Sequence, residues 1–281
     1  MRYIWTLLLI STIAQAETMH LEIQGETQNY TLSLEHQTSA NSKLAITVHG
    51  YMNNCRYMDV INQALLTRNY DVLCMNLPGH GKSSGKPFDI DRFETYKHAI
   101  QAVIEKFQDQ YEELIFVAHS TGTVGLTEMM LENESLPFKK IIFFAPLIRS
   151  YLYKTSYWAW RLGGRRLSKL PVRPIRDVHP EYQAIVNSDP YYPSHVPTHF
   201  AGQLFEWNER LIKKNRVSQQ EIYIFFGTKD TVIDTDYNRG FYSKYFPNAV
   251  IKTIKDSSHL FYHHNDQIRR ESLKELFKII D

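Results

Sequence analysis

The apolar run Leu114-Ile115-Phe116-Val117-Ala118 leads directly into His119-Ser120-Thr121-Gly122 and then into a helix-forming stretch. Five successive apolar residues with no polar break fit a strand covered on both faces, which places this run inside a sheet flanked by helices. The serine that follows has small residues two positions away on each side. That pattern suits a sharp strand-to-helix turn, where close backbone packing excludes larger side chains. Ala118 stands where glycine is usual at such a turn, a difference of one methyl. A serine that only capped a helix would need neither the strand nor the small neighbours.

The same rhythm recurs along the chain. Short runs rich in β-branched and aromatic residues predict strands at 30–36, 44–48, 72–76, 114–118, 140–144, 222–226 and 250–254. Between them, residues 91–110 set Phe93, Tyr96, Ile100, Val103, Ile104 and Phe107 on one helical face, and further helices are expected at 121–131 and 273–280. Strands alternating with helices predict an α/β architecture built on a mostly parallel central sheet flanked by helices. After Pro146 the alternation stops and does not return until Glu221. An interval that long does not fit an ordinary loop in a compact domain. It predicts an inserted, mainly helical cap over 147–220, dividing a core of 17–146 and 221–281.

With 281 residues, 43% hydrophobic and 22% charged, the chain has material for one large core and an insertion. Its formal charge of +2 carries no bias that would suit a phosphate backbone, so no nucleic-acid partner is expected. At the start, Arg2 precedes the apolar run Leu7–Ile10 and the small-residue ending Ala14-Gln15-Ala16. This predicts a signal peptide over 1–16, cut after Ala16, and export to a periplasmic or secreted location. Its apolar run is shorter than the roughly 20 residues that span a bilayer. Cys55 and Cys74 are the two cysteines. Export would let a bridge persist, whereas Cys74 in a buried strand also suits a free thiol acting as a small hydrophobe; spacing leaves the choice open.

If Ser120 is a nucleophile, it needs a base and an acid, which in this kind of architecture follow in the order Ser, Asp or Glu, His. His259 ends the stretch Lys255-Asp256-Ser257-Ser258-His259 just after the last apolar strand, where functional loops of parallel sheets gather. His263 and His264 are competitors that lie farther along and are expected at the surface. Phe225-Phe226-Gly227-Thr228-Lys229-Asp230 again ends a strand, turns at glycine and delivers a carboxylate, making Asp230 the candidate acid. Asp234 and Asp236 suit a helix N-terminus better, and Asp256 is so close to His259 that it is expected to shape the loop. Donors for a developing oxyanion are expected from the backbone N–H groups of Thr121, after the serine, and of Tyr51, in the loop His49-Gly50-Tyr51-Met52 after an earlier strand.

The set His49-Gly50, Pro78-Gly79-His80-Gly81-Lys82-Ser83-Ser84-Gly85, the Ser120 turn, Gly227-Thr228-Lys229-Asp230 and His259 resembles the monoacylglycerol lipase and lysophospholipase branch of the α/β-hydrolases. The resemblance covers the chain outside the cap, and the 78–85 stretch is its most branch-specific part. It implies the α/β-hydrolase fold and hydrolysis of carboxylic esters beneath a cap, with no metal or organic cofactor. It further implies that residues 78–85 shape the rim of the site and that His119 is structural. A short-chain carboxylesterase would carry the same three residues, and a catalytically inactive binding protein would keep the same fold.

From Pro146 to Arg176 the chain has Arg149, Lys154, Arg161, Arg165, Arg166, Lys169, Arg173 and Arg176 without one Asp or Glu, interleaved with Tyr151, Tyr153, Tyr157, Trp158 and Trp160. Cations attract anionic headgroups, and Trp and Tyr settle at a lipid–water boundary. Peripheral membrane contact through the cap and entry of single-chain lipids are expected on that basis. Aromatics packed inward beneath a solvated basic face would give the same composition.

Overall fold

The computed structural model describes residues 15–132, 135–163, 171–172 and 180–281. In chain order the elements are β1 (Gln15–Gln24), β2 (Asn29–Thr38), β3 (Lys43–Val48), α1 (Asp59–Leu66), β4 (Asp71–Met75), α2 (Glu94–Phe107), β5 (Glu113–His119), α3 (Val124–Leu131) and β6 (Phe138–Phe144). Then come α4 (Tyr153–Gly163), β7 (Pro171–Val172), α5 (Pro180–Asn187), β8 (Val196–Pro197), α6 (Thr198–Lys214), β9 (Tyr223–Gly227), α7 (Thr235–Tyr245), β10 (Val250–Ile254) and α8 (Asp266–Ile280).

Eight strands form one sheet in the order β1-β2-β4-β3-β5-β6-β9-β10. From β4 to β10 neighbouring strands run parallel, while β2 is antiparallel to both β1 and β4. β4 and β5 are buried almost throughout, as continuous apolar runs require when helices cover both sheet faces. β5 lies between β3 and β6, so the loops that follow β3 and β5 emerge side by side at the C-terminal edge of the parallel strands, where sites in such sheets form.

β1 is an element the apolar runs do not announce. Met19, Leu21 and Ile23 alternate with polar residues, and only these three turn toward the core, as befits an edge strand of an antiparallel hairpin. It begins at Gln15, so cleavage after Ala16 falls two residues inside it; residues 1–14 of the expected signal segment lie outside the described residues. Among the described residues no helix is long and apolar enough to cross a membrane. Cys55 and Cys74 form a disulfide, with Cα atoms 5.8 Å apart. The bridge fastens the turn after β3 to the neighbouring strand β4, a proximity that follows from strand order and is invisible in sequence spacing.

Between β6 and β9 the chain runs through α4, α5, α6 and the small antiparallel pair β7-β8. α6 is fastened to the core: Arg210 forms a two-pronged ion pair with Glu94 of α2 at 2.6 and 2.8 Å, Lys214 meets Glu128 of α3 at 2.6 Å, and the Trp207 indole donates to Glu128 at 3.0 Å. α4 packs onto α6 through Tyr153, Tyr157 and Trp160 around Phe205. Arg149, counted above among the basic residues, sits over the rings of Tyr153 and Tyr237 and donates to Asn208, which makes it a packing residue. Arg165, Arg166, Lys169, Arg173 and Arg176 lie outside the described residues.

Candidate active site

Ser120 directly follows β5 and begins a short 3-10 turn leading into α3. Its φ is +50°, a left-handed conformation that a non-glycine residue adopts only where its surroundings enforce it. The turn is secured by the Thr123 hydroxyl, which donates to the Ser120 carbonyl at 2.7 Å. It also explains the glycine two positions on: a methyl at Gly122 would lie 2.6 Å from the His49 carbonyl oxygen and 2.7 Å from that of Val48. The turn and the end of β3 therefore touch backbone to backbone, whereas the Ala118 methyl is accommodated inside the sheet.

Asp230 and His259 are delivered by the loops after β9 and β10, which are adjacent parallel strands. The loops are tied by the Lys229 N–H donating to the Ser257 carbonyl at 2.8 Å and the Asp256 N–H donating to the Thr228 hydroxyl at 2.8 Å. His259 Nδ1 lies 2.7 Å from Asp230 Oδ2, and both side chains are buried. A carboxylate can only accept from this ring, which fixes the proton on Nδ1 and leaves Nε2 with its lone pair. The other carboxylate oxygen accepts from the N–H groups of Val232 and Ile233 at 2.8 and 3.2 Å. His119 Nε2 donates to the His259 carbonyl at 3.2 Å, and the two rings meet edge to face with centroids 4.6 Å apart. Since His119 precedes Ser120, this contact brings the serine turn and His259 together.

The competing residues have other partners. Asp234 caps α7, accepting from the Tyr237 N–H at 3.0 Å, and Asp236 lies in the first turn of that helix. Asp256 is exposed and pairs with Lys229. His263 and His264, expected at the surface, are buried. The turn after His259 carries Phe261 and Tyr262 into the core and takes the two histidines with them; His263 Nε2 donates to the Tyr57 carbonyl, and His264 Nδ1 accepts from the Asn265 N–H.

Tyr51 follows Gly50, whose backbone is packed so closely on the serine turn that a methyl there would come 3.0 Å from Ser120 Cβ. Thr121 occupies the first turn of the following helix, where N–H groups lack an intrahelical acceptor. The loop carrying Tyr51 is joined to the 78–85 stretch through His49, which donates from Nδ1 to the Gly50 carbonyl and accepts at Nε2 from the Leu77 N–H. That stretch docks on β2: the Ser83 and Ser84 hydroxyls accept from the N–H groups of Ser33 and Thr31, and the His80 ring lies beside those of His49 and Tyr51. Sequence reasoning did not single out His80 or Phe200 as neighbours of Tyr51; the histidine inside the Pro-Gly-His-Gly string was the available signal.

Four buried imidazoles surround this region. Desolvation, aided by His80, brings His49 down to about 3; desolvation brings His80 and His263 to about 4; and desolvation, aided by His259, holds His119 well below the ordinary histidine range. In the unfolded chain these rings take up protons near pH 6.5. Between that value and about 4 the unfolded state therefore binds more protons, so stability is fully present above the window and falls as pH falls through it. His199, raised by its bond to Asp89, and Asp59, raised to about 6 by desolvation, act in the opposite sense, two groups against four. The thermal midpoint is expected to decline steadily as buffers are taken from pH 7 to 4.5. A midpoint constant over that range would contradict this placement of the histidines.

The sheet order and the turn at Ser120 define an α/β-hydrolase fold. Residues 39–266 match the sequence profile of the serine aminopeptidase S33 family, and the chain belongs to that family, a hydrolase family of serine type. No curated protein sequence matches the chain. Among solved structures it is similar to a monoacylglycerol lipase from Paleococcus ferrophilus, with a TM-score of 0.73 and 18% identity over 89% of this chain and 98% of that one. It is also similar to a soluble variant of monoglyceride lipase from Saccharomyces cerevisiae, solved with a substrate analog, with a TM-score of 0.78 and 14% identity over 95% of each chain. An esterase from Pyrococcus furiosus gives a TM-score of 0.60 and 18% identity over 95% of this chain and 94% of that one.

Proposed function

We propose that this chain hydrolyses carboxylic esters of single-chain lipids, monoacylglycerols or lysophospholipids, through Ser120, His259 and Asp230. The observation that carries the proposal is the serine held at φ +50° at the end of β5 beside a buried histidine–carboxylate pair 2.7 Å apart. His259 Nε2 takes the Ser120 proton as Oγ bonds to the ester carbonyl carbon, and the Tyr51 and Thr121 N–H groups hold the resulting oxyanion. His259 then gives the proton to the leaving alcohol oxygen as the ester C–O bond breaks. Water, deprotonated by the same ring, releases the acid and restores the serine.

The lipid assignment draws on the likeness to the two lipases and on the capped architecture. It is tested with monoacylglycerols, lysophospholipids, p-nitrophenyl esters of graded length and aminoacyl p-nitroanilides. A kcat/KM optimum at long acyl chains on a glycerol headgroup is expected. An optimum at acetate or butyrate would make the protein a short-chain carboxylesterase, and faster cleavage of the anilides would replace ester by peptide chemistry.

Lipid-surface contact is part of the proposal and draws on the exterior of α4; export is proposed from the signal-like start alone. While Tyr153, Tyr157 and Trp160 pack inward, Trp158 is 61% exposed and Leu162 85% exposed, with Lys154 and Arg161 on the same helix. Vesicles containing phosphatidylserine are expected to sediment more of the protein than phosphatidylcholine vesicles, with the difference lost in high salt. Equal, salt-independent sedimentation with both would remove the electrostatic part of this contact.

A further inference from the structure

The loop that bears the Tyr51 N–H is held from the side of the inserted segment at four side chains. The Tyr51 ring stacks on Phe200 of α6, with centroids 3.7 Å apart and planes 14° from parallel. The Tyr182 hydroxyl donates to Asn53 at 3.4 Å, Asn54 donates to Asp189 at 2.9 Å, and the Arg56 guanidinium donates to the carbonyl and hydroxyl oxygens of Ser188 at 3.0 and 2.9 Å. The core fastens the two ends of the loop, through His49 to Leu77 and through the Cys55–Cys74 bridge. Between those ends Met52 has φ +65°, a conformation that persists only where the surroundings impose it.

Tyr51 is the best defined of these ties. Its hydroxyl donates to the Phe88 carbonyl at 2.7 Å while Phe200 lies flat against its ring, so the side chain is fixed both along and across its axis. Phe200 in turn sits on Phe93 and belongs to the helix anchored by Arg210 and Lys214. It is thus a rigid reference point for the backbone of residue 51.

We propose that Phe200 is a positioning residue: by clamping the Tyr51 ring, the inserted segment places the Tyr51 N–H for the oxyanion, so that the site is complete only with this segment seated. The proposal rests on the function proposed above. An oxyanion donor contributes only when aimed within hydrogen-bond reach of the developing charge, and a displacement of about 1 Å is enough to cost about a hundredfold in rate. A residue acting through such a donor changes kcat for every ester alike. A residue that merely lines an acyl channel changes the rate in proportion to the chain it touches.

Phe200→Ala, Phe200→Leu and Phe200→Tyr in the full chain separate these cases, with kcat and KM measured on p-nitrophenyl esters from acetate to dodecanoate and thermal melts run alongside. Phe200→Leu keeps apolar volume in the packing but removes the stacked ring, so it serves if the alanine variant does not fold. The expected result for the alanine and leucine variants is a fall in kcat of about 10- to 100-fold, by a similar factor on acetate and dodecanoate, with KM little changed. Phe200→Tyr restores most of the rate. A folded alanine or leucine variant with wild-type kcat on acetate, or a loss confined to long esters or to KM, overturns the coupling while leaving the ester hydrolase reading intact. Turnover retained by Ser120→Ala overturns the hydrolase reading and the coupling with it.

Discussion

Ser120→Ala is expected to lower kcat for p-nitrophenyl esters by about four to six orders of magnitude, while leaving the thermal midpoint near that of the wild type. In the proposed mechanism, removing one hydroxyl takes away the atom that bonds to the acyl carbon. The ties that hold the turn, the Thr123 hydroxyl to the Ser120 carbonyl and the contact of Gly122 with the end of β3, involve backbone that alanine retains. Alanine also meets the same φ +50° as serine with a β-carbon in the same place, so the local strain is unchanged. A folded variant with a wild-type rate would show that the chemistry lies elsewhere.

Asp230→Asn is expected to be nearly as damaging, with a loss in kcat of about 10⁴-fold. The direction follows from the two N–H groups, of Val232 and Ile233, that point at one carboxylate oxygen. They hold the asparagine carbonyl on their side and turn its NH2 toward His259 Nδ1. That ring nitrogen must then accept, the proton moves to Nε2, and the ring loses the lone pair that the proposed mechanism uses to take the Ser120 proton. The melting curve of the variant reports on folding, and a kcat within a few fold of wild type would show that Asp230 does not orient the ring.

Much of this arrangement is legible in the sequence because the relevant signals are local. The apolar runs of β3, β4, β5, β6, β9 and β10 each mark a strand, and the glycine and small residues after β5 mark the turn that carries Ser120. What is not legible depends on neighbours distant in sequence. β1 has half the apolar content of a buried strand because one of its faces is exposed, and α8 begins about two turns before the expected start at Leu273, at the Asn265 cap. The disulfide follows from β3 and β4 lying side by side, and the burial of His263 and His264 from the aromatic pair that precedes them. Within the inserted segment, composition alone cannot divide the aromatics. The structure separates Trp160, which reaches the backbone of α6 at Gly202, from Trp158, which faces outward.

The most direct test of the account is covalent: incubation of the folded protein with a fluorophosphonate probe, followed by mapping of the labelled peptide by mass spectrometry. One adduct per chain is expected, on Ser120, formed at a rate that falls in Asp230→Asn and absent from Ser120→Ala. A protein that takes no label, as an inactive binding protein of this fold would, or that takes it on another residue, would contradict the assignment of Ser120 as the nucleophile.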